Sequence, residues 1–268
     1  MKLALIFVIR DSRLMTKLMA IINITPDSFS DGGANFAPDK ALAAIKQALI
    51  DGAKIIDIGA ESTRPGAACV SAEEEWGRLE PVLKKLDSYR RPEIAFSIDT
   101  RHATTAKKAL GHGIDWINDV SGFSSDDMVQ VAAESDCKLV VMHSLSVPAD
   151  RTQHLPEDGD VIEALTHFAD ERFATLARAG INADRLIFDP GIGFGKTAAQ
   201  SLQILDQIQR LHSLDVPILV GHSRKSCLKE LGDPDEATLR VSKQLVACGV
   251  DYIRVHDVKA HAAFLRAS

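Results

Sequence analysis

Eight short apolar runs, each followed by a stretch that reads as helical, recur along this chain. They read LMAIINI (18–24), IIDIG (55–59), IAFSID (94–99), WIND (116–119), KLVVMH (138–143), RLIFD (185–189), PILVG (217–221) and YIRVH (252–256). Between them lie DKALAAIKQALIDG (39–52), EEEWGRLEPVLKKLDS (73–88), TTAKKALGHG (104–113), VIEALTHFADERFATLARAG (161–180) and SLQILDQIQRLHS (201–213), whose apolar residues fall at helical spacing. Gly52, Gly113, Gly180 and Gly249 stand just before the next run, where a glycine closes a helix in the left-handed conformation. Alternation of strand and helix implies a parallel sheet, because parallel neighbours need a crossover between them. Eight such units predict a closed (β/α)₈ barrel, a TIM barrel, ahead of an open doubly wound sheet.

The length of 268 residues suits one α/β barrel domain over 1–268, with residues 1–17 expected as an N-terminal strand or plug. Aromatic residues make up only 5% while Ala, Val, Ile and Leu dominate, as buried parallel strands require. A net charge of −6 gives no electrostatic footprint for nucleic acid. Cys69, Cys137, Cys227 and Cys248 are far apart, with no metal-ligand spacing, and read as free thiols in a reducing compartment. The start, MKLALIFVIRDSRLMTK, is only superficially like a signal peptide: Arg10, Asp11 and Arg13 interrupt it and no small-residue cleavage site follows. No stretch is long enough to cross a bilayer. The expectation is a cytoplasmic chain with its start at Met1 or Met15.

Almost every apolar run carries a residue that is costly to bury at or near its carboxyl end. These are Asn23, Asp57, Asp99, Asn118, Asp119, His143, Asp189, Arg254 and His256, with Lys225 just after the seventh run. In a barrel such positions gather at one mouth, where catalytic sites are built. Unpartnered, each buried polar group would cost about 1–3 kcal/mol. Asp99, Asn118, Asp189 and Lys225 can together read the donor and acceptor edges of a flat nitrogen heterocycle. Arg64, Arg254 and His256 suit an anion clamp. The segment GIGFGKT (191–197) has neither the spacing of a phosphate-binding loop nor that of a dinucleotide fingerprint. Its glycines are expected to let backbone approach a ligand, with Phe194 as an aromatic wall.

Seven motifs occur in order: NITPDSFSDGG (23–33), GAESTRPGA (59–67), SIDT (97–100), INDVSG (117–122), FDPGIGFGK (188–196), SRKS (223–226) and RVHDV (254–258). From about Leu18 onward the chain closely resembles the dihydropteroate synthases of the pterin-binding barrel group. The first two motifs are specific in combination, whereas SIDT or SRKS alone would be weak. The resemblance implies condensation of 6-hydroxymethyl-7,8-dihydropterin diphosphate with 4-aminobenzoate, giving 7,8-dihydropteroate and diphosphate. It implies that Asp99, Asn118, Asp189 and Lys225, with Met142, hold the pterin. Asn23 and Asp31 would meet Mg²⁺ on the diphosphate, beside Arg64, Arg254 and His256. Thr63, Pro65, Phe194 and Ser226 would shape the aminobenzoate pocket with Phe29. Asp99, Asp189, Lys225, Arg254 and His256 are the catalytic set so implied, in a homodimer built on the last helices, with sulfonamides as inhibitors of the activity.

Leaving-group charge would be neutralised by the metal and the Arg and His side chains, and positive charge on the pterin by the two aspartates. An arylamine is unprotonated at neutral pH, so a dissociative substitution without covalent enzyme intermediate is expected. The two early loops, rich in Gly, Ser and Asp, are expected to close over the substrates. Three stretches depart from the family pattern. The fifth loop, MHSLSVPADRTQHL (142–155), lacks a Gly found in M-H-M-x-G-x-P, and the segment before RVHDV and the final helix are short. Two alternatives stay open: a methyltetrahydrofolate-dependent methyltransferase domain, against which ESTRPG and RVHDV argue, and a non-catalytic pterin-binding paralogue.

Overall fold

The structure is a computed structural model in which residues 16–24, 36–62, 67–150 and 152–267 are described. Among the described residues eight strands alternate with eight α-helices. In order they are β1 (Lys17–Asn23), α1 (Phe36–Asp51), β2 (Ile55–Gly59), α2 (Ala72–Leu83), β3 (Ala95–Asp99), α3 (Ala103–Leu110), β4 (Trp116–Asp119) and α4 (Asp126–Ala133). There follow β5 (Lys138–Met142), α5 (Val161–Arg178), β6 (Leu186–Asp189), α6 (Ala198–Asp206), β7 (Leu219–Val220), α7 (Pro234–Ala247), β8 (Tyr252–Val255) and α8 (Val258–Ala267). All ladder pairings are parallel and the strand order is β6-β5-β4-β3-β2-β1-β8-β7. The two ends of that sheet meet at a bridge between Phe188 and Ile218, where the Phe188 N–H donates to Pro217 O at 2.9 Å. The expected eight-stranded barrel is the fold.

The seventh strand is shorter than the apolar run PILVG predicts. Ile218 N donates to the Asp251 carboxylate at 2.8 Å instead of to a backbone carbonyl of the neighbouring strand, and only Leu219 and Val220 pair with β8. Helix starts follow local chemistry. Ser71, Ser125, Asp160, Thr197 and Asp233 each accept from N–H groups of the first turn of α2, α4, α5, α6 and α7. At α6 the cap is reciprocal, since Gln200 Oε1 accepts from Thr197 N. The four glycines expected after helices all have positive φ. Outward-facing strand residues such as Ile56, Ile98, Ile117 and Val141 pack beneath the helices in the main buried cluster. Among the described residues no helix is long and apolar enough to cross a membrane. The expected N-terminal plug falls almost wholly on residues 1–15, outside the described residues; Lys17 already belongs to β1.

Candidate active site

Side chains alternate across a strand, so the barrel interior can be followed in steps of two. The lower inward positions are apolar: Met19, Ile55, Trp116, Val140, Ile187 and Leu219 form a buried cluster, with Ala95 and Tyr252 against it. Trp116 and Tyr252 meet edge to face at 5.0 Å. Two residues further along, the same faces carry Asp57, Ser97, Asn118, Met142, Asp189 and Arg254, and Asp99 lies one step beyond Ser97. The interior therefore turns from apolar to ionic along its length, towards the carboxyl ends of the strands.

Arg254 organises the ionic layer. Its Nε donates to Asp57 Oδ2 at 2.6 Å and its Nη2 to Asp99 Oδ2 at 2.6 Å. Asn118 Nδ2 donates to the same Asp57 oxygen at 3.1 Å. Burial opposes the guanidinium charge, but Asp57 and Asp99 outweigh it and hold Arg254 above the usual arginine range. Burial pushes the Asp99 carboxyl up to about 7, with Asp57, Glu75 and Asp119 adding to the rise against the pull of Arg254. Burial likewise lifts Asp189 to about 6, against the Gly191 N–H and the charges of Lys225, Arg254 and Lys196. Asp189 Oδ1 accepts from Gly191 N at 2.7 Å. Its other oxygen and Arg254 flank Gly221, where a Cβ would come 3.6 Å from Asp189 Oδ2 and 3.9 Å from Arg254. Such raised carboxylates at a barrel mouth are the kind of group an active site tunes.

An apolar wall stands beside this layer. Phe194, Met142, Val120 and Ala149 form a separate buried cluster with Val147 packed against it. Lys225 Nζ lies 4.1 Å from the centre of the Phe194 ring, a cation–π contact. The fifth loop supplies Val147 and Ala149 to this wall, so its departure from the family pattern leaves it packed on Phe194. Ser226 is exposed at the start of a short 3₁₀ turn. His256, half-buried, has Nδ1 2.9 Å from Ser223 Oγ, and its backbone N–H donates to that hydroxyl at 3.3 Å.

The second loop is pinned at both ends. Glu61 takes a two-pronged ion pair from Arg101, at 2.8 and 2.9 Å, and accepts from Val70 N at 3.1 Å. Burial opposes the Glu61 charge, but Arg101 and the Val70 N–H hold its carboxyl below the usual range. Arg78 Nη1 donates to Ala60 O at 2.7 Å from α2.

Asp99, Asn118, Asp189, Lys225 and Arg254 are thus brought to one mouth, with Asn23 at the end of β1 paired in register with Gly59. Phe29, Asp31, Thr63, Arg64 and Pro65 lie outside the described residues. Two strand-end residues do not join the layer. Asp119 follows the inward Asn118 and so faces the other way, accepting from Ser121 N, Ser121 Oγ and Phe123 N. His143 follows the inward Met142 and is buried edge-on to Phe168, accepting from Lys196 Nζ at 2.8 Å. Burial, helped by the Lys196 charge, takes its imidazole down to about 3. Asp57 is central to the layer, yet sequence reasoning left it without a role; its even spacing from Ile55 was the available signal. Arg101, Glu61 and Lys196 gave no such signal.

Comparison with known proteins agrees with this geometry. The pterin binding enzyme family matches residues 19–256. The chain is 40% identical to the dihydropteroate synthase of Neisseria meningitidis serogroup C, over 94% of this chain and 91% of that one. It is 41% identical, over 94% of its own length, to a Halobacterium salinarum protein described as a "Probable bifunctional folylpolyglutamate synthase/dihydropteroate synthase", of which it spans 31%. Two crystal structures superpose with a TM-score of 0.86. They are Xanthomonas albilineans dihydropteroate synthase with 4-aminobenzoic acid (35% identity, 94% and 92% of the two chains) and the Anaplasma phagocytophilum enzyme with 6-hydroxymethylpterin-monophosphate (34%, 94% and 98%). This chain belongs to the pterin-binding enzyme family, among the dihydropteroate synthases.

Proposed function

We propose that this chain condenses 6-hydroxymethyl-7,8-dihydropterin diphosphate with 4-aminobenzoate, releasing diphosphate and 7,8-dihydropteroate. The observation that carries the reading is the layer of Asp57, Arg254, Asp99 and Asn118 with Asp189 across Gly221. A planar heterocycle with N–H and amino donors on one edge and acceptors on another is complementary to it. The similar proteins that hold a pterin phosphate or 4-aminobenzoic acid support the same substrate pair here.

In this reading Asp99, Asn118, Asp189 and Lys225 hold the pterin over the apolar floor, with Met142 at its edge. Arg254, fixed by two carboxylates, meets the anion, with His256 and Arg64 as further contacts. The bond from the pterin methylene carbon to the diphosphate oxygen breaks, its electron pair leaving on diphosphate. The 4-aminobenzoate nitrogen then gives its lone pair to that carbon and loses a proton to solvent. Asp99 and Asp189 favour the transient positive charge on the pterin, as preorganised anions in a water-poor site. Thr63, Pro65, Phe194, Ser226 and Phe29 wall the aminobenzoate.

Among the described residues no group of three or more His, Cys, Asp or Glu is placed to hold a metal ion. Mg²⁺ commonly binds through one or two protein oxygens plus substrate phosphates. Asn23, at the mouth, and Asp31 would hold it, and the ion would neutralise the leaving group. The homodimer would use α7 and α8, and the unpaired thiols suit a cytoplasmic setting.

The test is a coupled assay with both substrates, with and without Mg²⁺. Dihydropteroate formation that needs both substrates and the metal is expected. Binding of dihydropterin without turnover would instead identify a non-catalytic paralogue.

A further inference from the structure

We propose that Lys196 is a positioning residue: by clamping the sixth loop to the end of β5 it fixes Phe194, and through Phe194 it sets the aryl-amine side of the active site. What that side binds rests on the dihydropteroate synthase reading; the clamp itself rests on geometry alone.

Lys196 is 9% exposed and donates to three acceptors: His143 Nδ1 at 2.8 Å, Phe194 O at 2.8 Å and Gly191 O at 3.0 Å. An ammonium has three N–H donors, so protein groups account for all of them. The side chain is therefore a tie within the protein. One acceptor belongs to the residue after β5; the other two are carbonyls of the loop between β6 and α6. That loop is hard to hold by other means. Gly191, Gly193 and Gly195 all have positive φ and bring no side chains to pack. Gly191 lies so close to His143 that an added Cβ would strike His143 O, and one at Gly195 would strike Leu145. The loop is seated on the fifth one, where Leu155 N donates to Gly195 O at 3.0 Å, and Lys196 adds a side-chain fastening between them.

A fastening of this kind is costly. Burying a cation is unfavourable unless it is fully paired. Burial takes Lys196 down to about 7, with Lys225 pushing the same way and Asp189 opposing. A methionine of similar length would avoid that cost but could not tie two loop carbonyls to an imidazole. The beneficiary is Phe194, whose carbonyl is tied and whose ring both closes the apolar wall and faces Lys225.

The test compares Lys196→Met with Phe194→Leu and the double variant, measuring both substrates at steady state. Lys196→Met is expected to raise KM for 4-aminobenzoate about tenfold, with a clearly smaller rise in KM for the pterin diphosphate through the lost charge near Asp189 and kcat within about twofold. The double variant should be no worse than Phe194→Leu, because the lysine acts through the ring. An unchanged KM for 4-aminobenzoate, equal effects on both substrates, or additive penalties would overturn the proposal. Hydrogen exchange reads the clamp without reference to activity: amides of 191–197 should exchange about tenfold faster in Lys196→Met while β1 to β3 stay protected. Equal protection of that loop would sink the clamp even if the enzyme turns over. Faster exchange in a chain that makes no dihydropteroate would keep the clamp and remove only the functional reading. Should Lys196→Met fail to fold, Lys196→Gln, which keeps an amide donor, carries the same comparisons.

Discussion

Asp57 Oδ2 accepts from both Arg254 and Asn118, so one carboxylate orients two groups proposed to meet the ligand. Asp57→Asn keeps the shape but offers Arg254 a weaker partner. Losing a charge-assisted bond of roughly 1.5–3 kcal/mol should lower kcat/KM for the pterin diphosphate by about ten- to a hundredfold. Steady-state kinetics on a variant with unchanged melting behaviour checks this; an unaffected kcat/KM would mean Arg254 is held by other means. Asp99 and Asp189 also predict a pH dependence. A ring N–H pairs best with an ionised carboxylate, and their carboxyls sit at about 7 and about 6. As pH falls through those values protons occupy the acceptor oxygens, so dihydropterin affinity should decline between pH 8 and pH 5. Calorimetry showing a flat profile would remove the carboxylate contacts from the binding scheme.

Among the elements, loops after strands are where the proposed chemistry lies, and their roots are firmly held. Glu61 joins Arg101 to Val70 N, so the two ends of the second loop are held while Thr63, Arg64 and Pro65 lie between them. Arg64 is proposed to meet the anion and Pro65 the aminobenzoate, so one segment would serve both ligands. Ordering a loop residue costs about 1–2 kcal/mol, which a first ligand can meet for a second. Titration should therefore show 4-aminobenzoate binding only with Mg²⁺-diphosphate present, and Arg101→Met should weaken that binding while sparing dihydropterin. Equal affinity with and without diphosphate would mean a preformed pocket. The strands and the inward polar residues were legible in the sequence because period-two alternation and strand ends are local patterns. Asp119 and His143 could not be separated from Asn118 and Met142 until parity was known at each strand end. Lys196 was not legible, since a lysine after glycines reads as solvated or phosphate-facing until its acceptors are in place. The shortening of β7 was not legible, because the Asp251 carboxylate that takes the Ile218 N–H comes from the turn before β8 and meets it only in the fold.

For the molecule as a whole, two sets of buried groups oppose one another in their response to acid. His143 and His222 are drawn down by burial to about 3 and about 4, and His261 is lowered for the same reason. Unfolding below about pH 6.5 lets them bind protons, so their contribution, complete above that pH, is lost as pH falls. Asp99 and Asp189 are raised, so the folded state binds protons first, and their contribution grows as pH falls from about 7. Between pH 7 and pH 5.5 the two sets act in opposite directions, so urea unfolding should show a weaker fall in stability than the histidines alone would give. Asp99→Asn removes part of one side and leaves Asp189, so its stability should fall more steeply over that interval than the parent's; an identical slope in both proteins would show the two sets do not compensate. The junction at which β6 meets β7 has a further consequence. Phe188 and Ile218 join the ends of the sheet through an isolated bridge, and Asp189 stands next to one side of it while Gly221 and Lys225 follow the other. The cylinder is a bracelet whose clasp lies at its jewel: a pterin held as proposed by Asp189 and Lys225 would fasten it. Ligand should slow amide exchange at Phe188 more than at Ile56 or Ile58, and a uniform slowing around the ring would mean the clasp is no looser than the links.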